Sequence, residues 1–141
     1  MKLAPRKDYD KFRKYFSFSC VDLLIFDDKK ILLTKRKINP YKGYWHLPGS
    51  IIRRGEKIHD TVKRSAMHEL GKKISIKREL GTYEAIDDFR HDVSHGFLVK
   101  FTENNEIEID NDTSEYRYFS RLPKNMPKHH RKMILDARRI F

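Results

Sequence analysis

The sequence predicts an α/β (α+β) fold, a mixed sheet held between helices in an α/β/α sandwich. Three observations predict it. Apolar, β-forming runs flank a central segment in which the periodicity changes. In that segment Ile58, Val62, Ala66 and Leu70 recur every four residues, drawing one apolar stripe along a helix, and Gly71 follows where a left-handed residue ends such a helix. A second helical pattern closes the chain over residues 128–140, with Met133, Ile134, Ala137 and Ile140 directed inward. The 141 residues correspond to one domain, residues 1–141, with nine Phe and seven Tyr to fill a core.

The remaining elements follow in chain order. Residues 8–16 read as a short helix with Tyr9, Phe12, Tyr15 and Phe16 to one side. Residues 18–26 read as a buried strand, the polar run 27–30 as a turn, and 31–36 as a second strand, so that the two make a hairpin. Asn39-Pro40 and Lys42-Gly43 mark a loop; residues 44–47 form a short strand stopped by Pro48-Gly49. Residues 74–89, 94–101 and 116–119 read as strands, and Pro123 and Pro127 punctuate the loop before the closing helix.

Composition narrows the function classes. One cysteine, Cys20, excludes an intrachain disulfide, and its apolar neighbours mark it as a small buried residue. No apolar run reaches membrane-spanning length and the N-terminal stretch is charged, so a cytoplasmic protein without membrane contact is expected. Lys and Arg number 31 against 20 acids, a formal net charge of +11, which favours polyanions: nucleotides, or nucleic acid at the basic ends.

Several residues carry individual expectations. Asp22 lies inside an apolar strand and needs a partner, for which Arg36 is the expected one. Arg36 ends a strand next to the loop and serves either phosphate contact or surface charge. Tyr44 and Trp45 are expected in the core rather than stacked on a base. His129-His130 reads as a solvated helix start. On the central helix Ser65, His68, Glu69 and Lys72 lie away from the apolar stripe. A carboxylate near a helix end, facing a loop carbonyl, can supply oxygen ligands to a hard cation, and Glu69 is placed for that.

The run from Gly49 to Lys72 resembles a Nudix box, G-x5-E-x7-R-E-U-x-E-E-x-G-U with U a bulky aliphatic. Glu56 takes the first acidic position, Arg64 the arginine, Glu69 the last acid and Gly71 the glycine. Ser50 stands for the first glycine, Ser65 and His68 for two of the glutamates, and Lys72 for the final aliphatic. The resemblance implies a Nudix fold in which Glu56 and Arg64 pair, with Gly71, to frame the loop and helix. It also implies a divalent cation, Mg²⁺ or Mn²⁺, and a nucleoside diphosphate substrate.

Within that superfamily the chain is similar to the GDP-mannose mannosyl hydrolases, through Asp22, Lys35-Arg36, Asn39-Pro40, Gly43-Tyr44-Trp45, Pro48-Gly49, Arg64, Met67 and Glu69-Leu70-Gly71. This likeness implies one Mg²⁺ held by Glu69 and the Gly49 backbone oxygen. Arg36 and Arg64 then stabilise a departing diphosphate, Asp22 lies in the substrate site, and water attacks the sugar carbon. That branch carries Gln-His before an acidic-Tyr-Arg-aromatic strand; here the run is Asp112-Thr113-Ser114-Glu115-Tyr116-Arg117-Tyr118. Asp112 takes the ligand position, and Thr113 cannot act as a base. His91, His95 and Glu115 are the groups left for that role, with His95 the candidate. A homodimer stays open as the oligomeric state. Two rival readings stay open: a Nudix-fold nucleotide or RNA-binding module without catalysis, and a nucleotide-pool or RNA-cap pyrophosphatase.

Overall fold

Strand β1 (Phe18–Leu24) runs through the middle of the structure, a computed structural model that describes residues 3–140. Lys2, part of the basic N-terminal stretch, lies outside the described residues. β1 pairs parallel with β7 (His91–Phe101) and antiparallel with β5 (Gly49–Ile51); β7 pairs antiparallel with β6 (Ile74–Ile86). The result is a mixed sheet of order β5-β1-β7-β6. A parallel neighbour and two covered faces suit a strand with no polar alternation, which explains the Val21–Ile25 run.

Helix α2 (Ile58–Leu70) covers one face and α3 (Lys128–Ile140) the other. Val21, Leu23, Phe97 and Val99 pack with Val62, Ala66 and Leu70 of α2. Leu24 and Leu98 pack with Met133, Ile134 and Ala137 of α3. A second sheet joins β2 (Phe26–Asp27), β3 (Lys30–Arg36), β4 (Trp45–His46) and β8 (Thr113–Phe119), with β3 at its centre. It feeds Leu32 and Tyr118 into the first core and Ile31, Leu33 and Trp45 into the second. Trp45 is in the core, edge-on to Phe119, whereas Tyr44 is 39% exposed.

The structure departs from the sequence expectations in definite places. The expected hairpin shrinks to Phe26–Asp27 against Lys30–Ile31, because the strand breaks at Ile25 and β1 enters the other sheet. β5 follows Pro48 directly, where the sequence reads as a stop. The first helix, α1 (Arg6–Tyr15), starts before residue 8 and buries none of its side chains: Tyr9 and Phe12 meet Phe18, while Tyr15 and Phe16 stay exposed. Ile58 and Ile140, both expected inward, are 37% and 44% exposed because each lies at a helix end beyond the sheet. β7 begins at His91 and β8 at Thr113, each three residues before its expected start.

Candidate metal and diphosphate site

The segment between β5 and α2 is tied down by one ion pair. Glu56 accepts from Arg64 Nε at 2.7 Å and Nη2 at 2.9 Å, from Thr61 Oγ1 at 2.7 Å and from the Arg53 amide at 3.2 Å. Arg64 Nη2 also donates to the Ile51 carbonyl at 2.9 Å, so one guanidinium ties strand, loop and helix together. The Arg64 hydrogen bond leads in pulling the Glu56 carboxyl down to about 2; burial opposes it, and the Thr61 and Arg53 bonds add to it. This geometry gives Arg64 a framing role, with Nη1 the nitrogen left unbonded among the described residues.

The depressed Glu56 carboxyl sets an acid limit on stability. The folded value lies below the ordinary 4.5, so the pair's contribution is complete above about pH 5 and is lost as pH falls from 4.5 toward 2. Solvent screening at this partly exposed pair leaves a contribution of about 1–2 kcal/mol. Glu56→Gln is expected to remove about that much at pH 7 in urea unfolding and to flatten the acid limb between pH 5 and 2. A variant as stable as the parent at pH 7 would refute this role.

The next layer gathers around Gly49 and Glu69. The Gly49 amide donates to Glu69 Oε1 at 3.2 Å, bridging β5 to the last turn of α2. Glu69 Oε2 is buried without a partner, and so is Ser65 Oγ one turn earlier on the same helix. Buried polar atoms are nearly always satisfied, so two orphans side by side mark a place for a polar guest. Burial pushes the Glu69 carboxyl well above its ordinary value; the charges of Asp110 and Asp22 add to this, while the Gly49 N–H and Arg36 oppose it. A carboxylate held against its charge in a setting of oxygen donors fits a small hard cation. Ser65 supplies a hydroxyl where a glutamate is usual, so the charge available for cations is small.

Of the two acids that influence Glu69, Asp110 lies ahead of β8. Its side chain is 17% exposed, accepts from Thr113 Oγ1 at 2.7 Å and lies 3.8 Å from His68 Nε2. Asp112, the residue aligned with the expected ligand, is exposed, and its backbone oxygen accepts from the Lys37 amide. Lys72 explains how this loop is brought to the helix end. Instead of the usual aliphatic, its ammonium group is buried against the Glu103 carbonyl at 2.8 Å and the Asn105 carbonyl and side-chain oxygen, over the Phe101 ring. Gly71 is left-handed at φ 63°, and Glu108 packs where a β-carbon would sit, 3.1 Å away.

The other expected residues fall into three groups. Arg36 influences Glu69 and His46 by charge and donates Nε to the Pro40 carbonyl at 2.5 Å. His95 lies on the α2 face of β7, beside Val21 and 3.2 Å from Thr82 Oγ1, two strands from Ser50 of β5 or about 10 Å. Asp22 is 6% exposed, and its partners are not Arg36 but Ser94, which donates to Oδ2, and His130, whose Nε2 is 3.2 Å from Oδ1.

His130 therefore corrects the expectation of a solvated helix start: it is 7% exposed. Three residues here carried no sequence signal. His46 is pushed down to about 4, chiefly by burial, and its Nδ1 lies 3.0 Å from the Leu47 carbonyl. Ser94 and Asp110 carry no such signal because neither sits in a periodic pattern with its partner.

A model of the NUDIX domain matches residues 17–137. An ADP-ribose pyrophosphatase of Methanocaldococcus jannaschii is 35% identical over 144 residues, covering 98% of this chain and 83% of the relative. The low-salt glycan biosynthesis protein Agl8 of Haloferax volcanii is 31% identical over 107 residues, 70% of this chain and 68% of that protein. A MutT NUDIX hydrolase from Burkholderia pseudomallei has a similar structure, with a TM-score of 0.75 at 27% identity, covering 86% of this chain and 98% of that one. No helix among the described residues is long and apolar enough to cross a membrane.

Proposed function

The chain belongs to the Nudix family and is a Nudix hydrolase, and from that premise we propose that it cleaves a nucleoside diphosphate-linked sugar with a single divalent cation, Mg²⁺ or Mn²⁺. The observation that carries this reading is Glu69: one oxygen bound to Gly49, the other orphaned beside Ser65, and no second glutamate on the helix. The cation would be held by Glu69 and the Gly49 backbone oxygen, with Asp110 rather than Asp112 as the nearby acid. When bound, it would neutralise charge building up on the departing diphosphate. Arg36 would add a cation fixed at the same place, and Glu56 with Arg64 would keep the loop still.

With few carboxylates there is little means to make a metal-bound water nucleophilic, and attack at the sugar carbon follows. Water would form the new C–O bond and pass its proton to a base of the protein. The old C–O bond electrons would leave with the nucleoside diphosphate. A second reading is cleavage of the pyrophosphate itself, favoured by the relative described as an ADP-ribose pyrophosphatase.

Incubation with nucleotide sugars, ADP-ribose and nucleoside triphosphates in ¹⁸O-water tests both. Label in the free sugar supports the first reading, and label in a phosphate product the second. Absence of turnover across the panel, with ligand binding independent of Mg²⁺, would instead support a binding module.

A further inference from the structure

Asp22, His129 and His130 present ligand atoms within 4.8 Å of one another, which invites assignment as a separate metal site. The bonds that His130 and Asp22 already make leave no ligand atom free for it. The Leu47 amide donates to His130 Nδ1 at 3.1 Å, a buried bond, so Nδ1 carries a lone pair and the ring proton resides on Nε2. That Nε2–H faces Asp22 Oδ1 at 3.2 Å and holds the carboxylate by that contact. A metal on Nε2 would force the proton onto Nδ1, opposite another N–H. The second oxygen of Asp22 is already taken by Ser94.

The same two bonds place His130 on both flanks of Gly49. Leu47 is two residues before it, and Asp22 is its register partner across β1 and β5. Asp22 Oδ1 would lie 2.4 Å from a β-carbon on Gly49, so the carboxylate held by His130 rests against the Gly49 α-carbon. His130 itself stands on α3, whose Met133, Ile134 and Ala137 are fully buried. We propose that His130, locked as its Nε2–H tautomer, is a positioning residue that holds the Leu47–Gly49 segment and Asp22 so that the Gly49 carbonyl meets the cation bound by Glu69.

This inference rests on the single-cation reading above, and the test separates the two. Gln offers an acceptor and a donor at nearly the spacing of Nδ1 and Nε2–H, whereas Leu offers shape without either. Mn²⁺ binding followed by electron paramagnetic resonance needs no substrate. His130→Leu is expected to weaken Mn²⁺ binding about 10- to 100-fold, as for other groups that orient a metal ligand. His130→Gln should bind close to the parent level. Melting curves without metal show that each variant folds, and Ser94→Ala, which loosens Asp22 more gently, should fall between them. Two-dimensional ¹H–¹⁵N spectra of the metal-free parent should show His130 Nδ1 unprotonated.

A folded His130→Leu with parental Mn²⁺ affinity overturns the proposal, as does a protonated Nδ1. So does a Zn²⁺ ion that persists in Glu69→Gln and is lost in His130→Gln, the result a metal-ligand role requires. Parental Mn²⁺ binding that does not depend on Glu69 would remove the single-cation reading and this proposal together. Failure to turn over sugars, with Mn²⁺ binding as expected, would touch only the proposed substrate.

Discussion

Glu69→Gln is expected to abolish tight Mg²⁺ binding, to lower turnover on the order of 10³-fold, and to raise the melting temperature of the metal-free protein at neutral pH. The turnover loss corresponds to several kcal/mol of leaving-group stabilisation. The gain in stability follows from the direction of the Glu69 shift. Burial, with Asp110 and Asp22, holds its folded value above the ordinary 4.5. The folded chain therefore keeps a proton that the unfolded chain has released, and metal-free stability falls as pH rises above the ordinary carboxylate range. Gln is nearly isosteric, stays neutral, and still accepts the Gly49 N–H, so it escapes that loss.

Mg²⁺ should reverse the order. Binding displaces the proton, tightens with pH, and stabilises the parent by mass action. Melting curves from pH 5 to 8, with and without Mg²⁺, check all three points. Parental Mg²⁺ stabilisation in Glu69→Gln, or a lower metal-free melting temperature at pH 7, would show that Glu69 is neither the ligand nor a buried liability.

What the sequence made legible was local. The fourfold recurrence from Ile58 to Leu70 and the left-handed Gly71 specify α2 and its end, and the spacing of Glu56 and Arg64 brings them together across one loop. Elements defined by distant partners were less visible. β5 needs β1 to exist as a strand, and nothing within Gly49–Ile51 announces that pairing. The aromatic side of α1 looks like a core face, but it meets the end of β1 at Phe18 and the Arg90 side chain, and Phe12, Tyr15 and Phe16 stay largely in solvent.

Polar partners failed for the same reason. Asp22 needs a partner and the sequence offers Arg36, whereas its partners in the fold are 72 and 108 residues away on β7 and α3. The family likeness places Asp112 at the ligand position. The irregular path before β8, anchored by Lys72, instead turns Asp110 toward the helix end. Charge placed by tertiary packing leaves no period in the sequence.

Gly49→Ala tests that tertiary placement most severely. Gly49 is retained here for space and not for backbone freedom. A β-carbon would come 2.3 Å from the Val21 carbonyl oxygen and 2.4 Å from Asp22 Oδ1, both closer than atoms can approach. The carbonyl belongs to β1, the strand at the centre of the mixed sheet, and Asp22 is pinned by Ser94 and His130, so neither can swing away cheaply. β5 must then lift from β1. The expected result is a loss of about 2–4 kcal/mol, or about 10 °C in melting temperature.

The same displacement pulls the Gly49 amide from Glu69 and moves the carbonyl proposed to face the cation. Mn²⁺ affinity should therefore fall about tenfold or more in the fraction that remains folded. Glu69→Gln and Gly49→Ala thus separate the two demands on one contact. The first removes charge and leaves the strand in place, gaining metal-free stability while losing the cation. The second leaves the charge and moves the strand, losing both. A Gly49→Ala protein that melts with the parent and binds Mn²⁺ as the parent does would mean that β5 does not lie against Asp22 in solution.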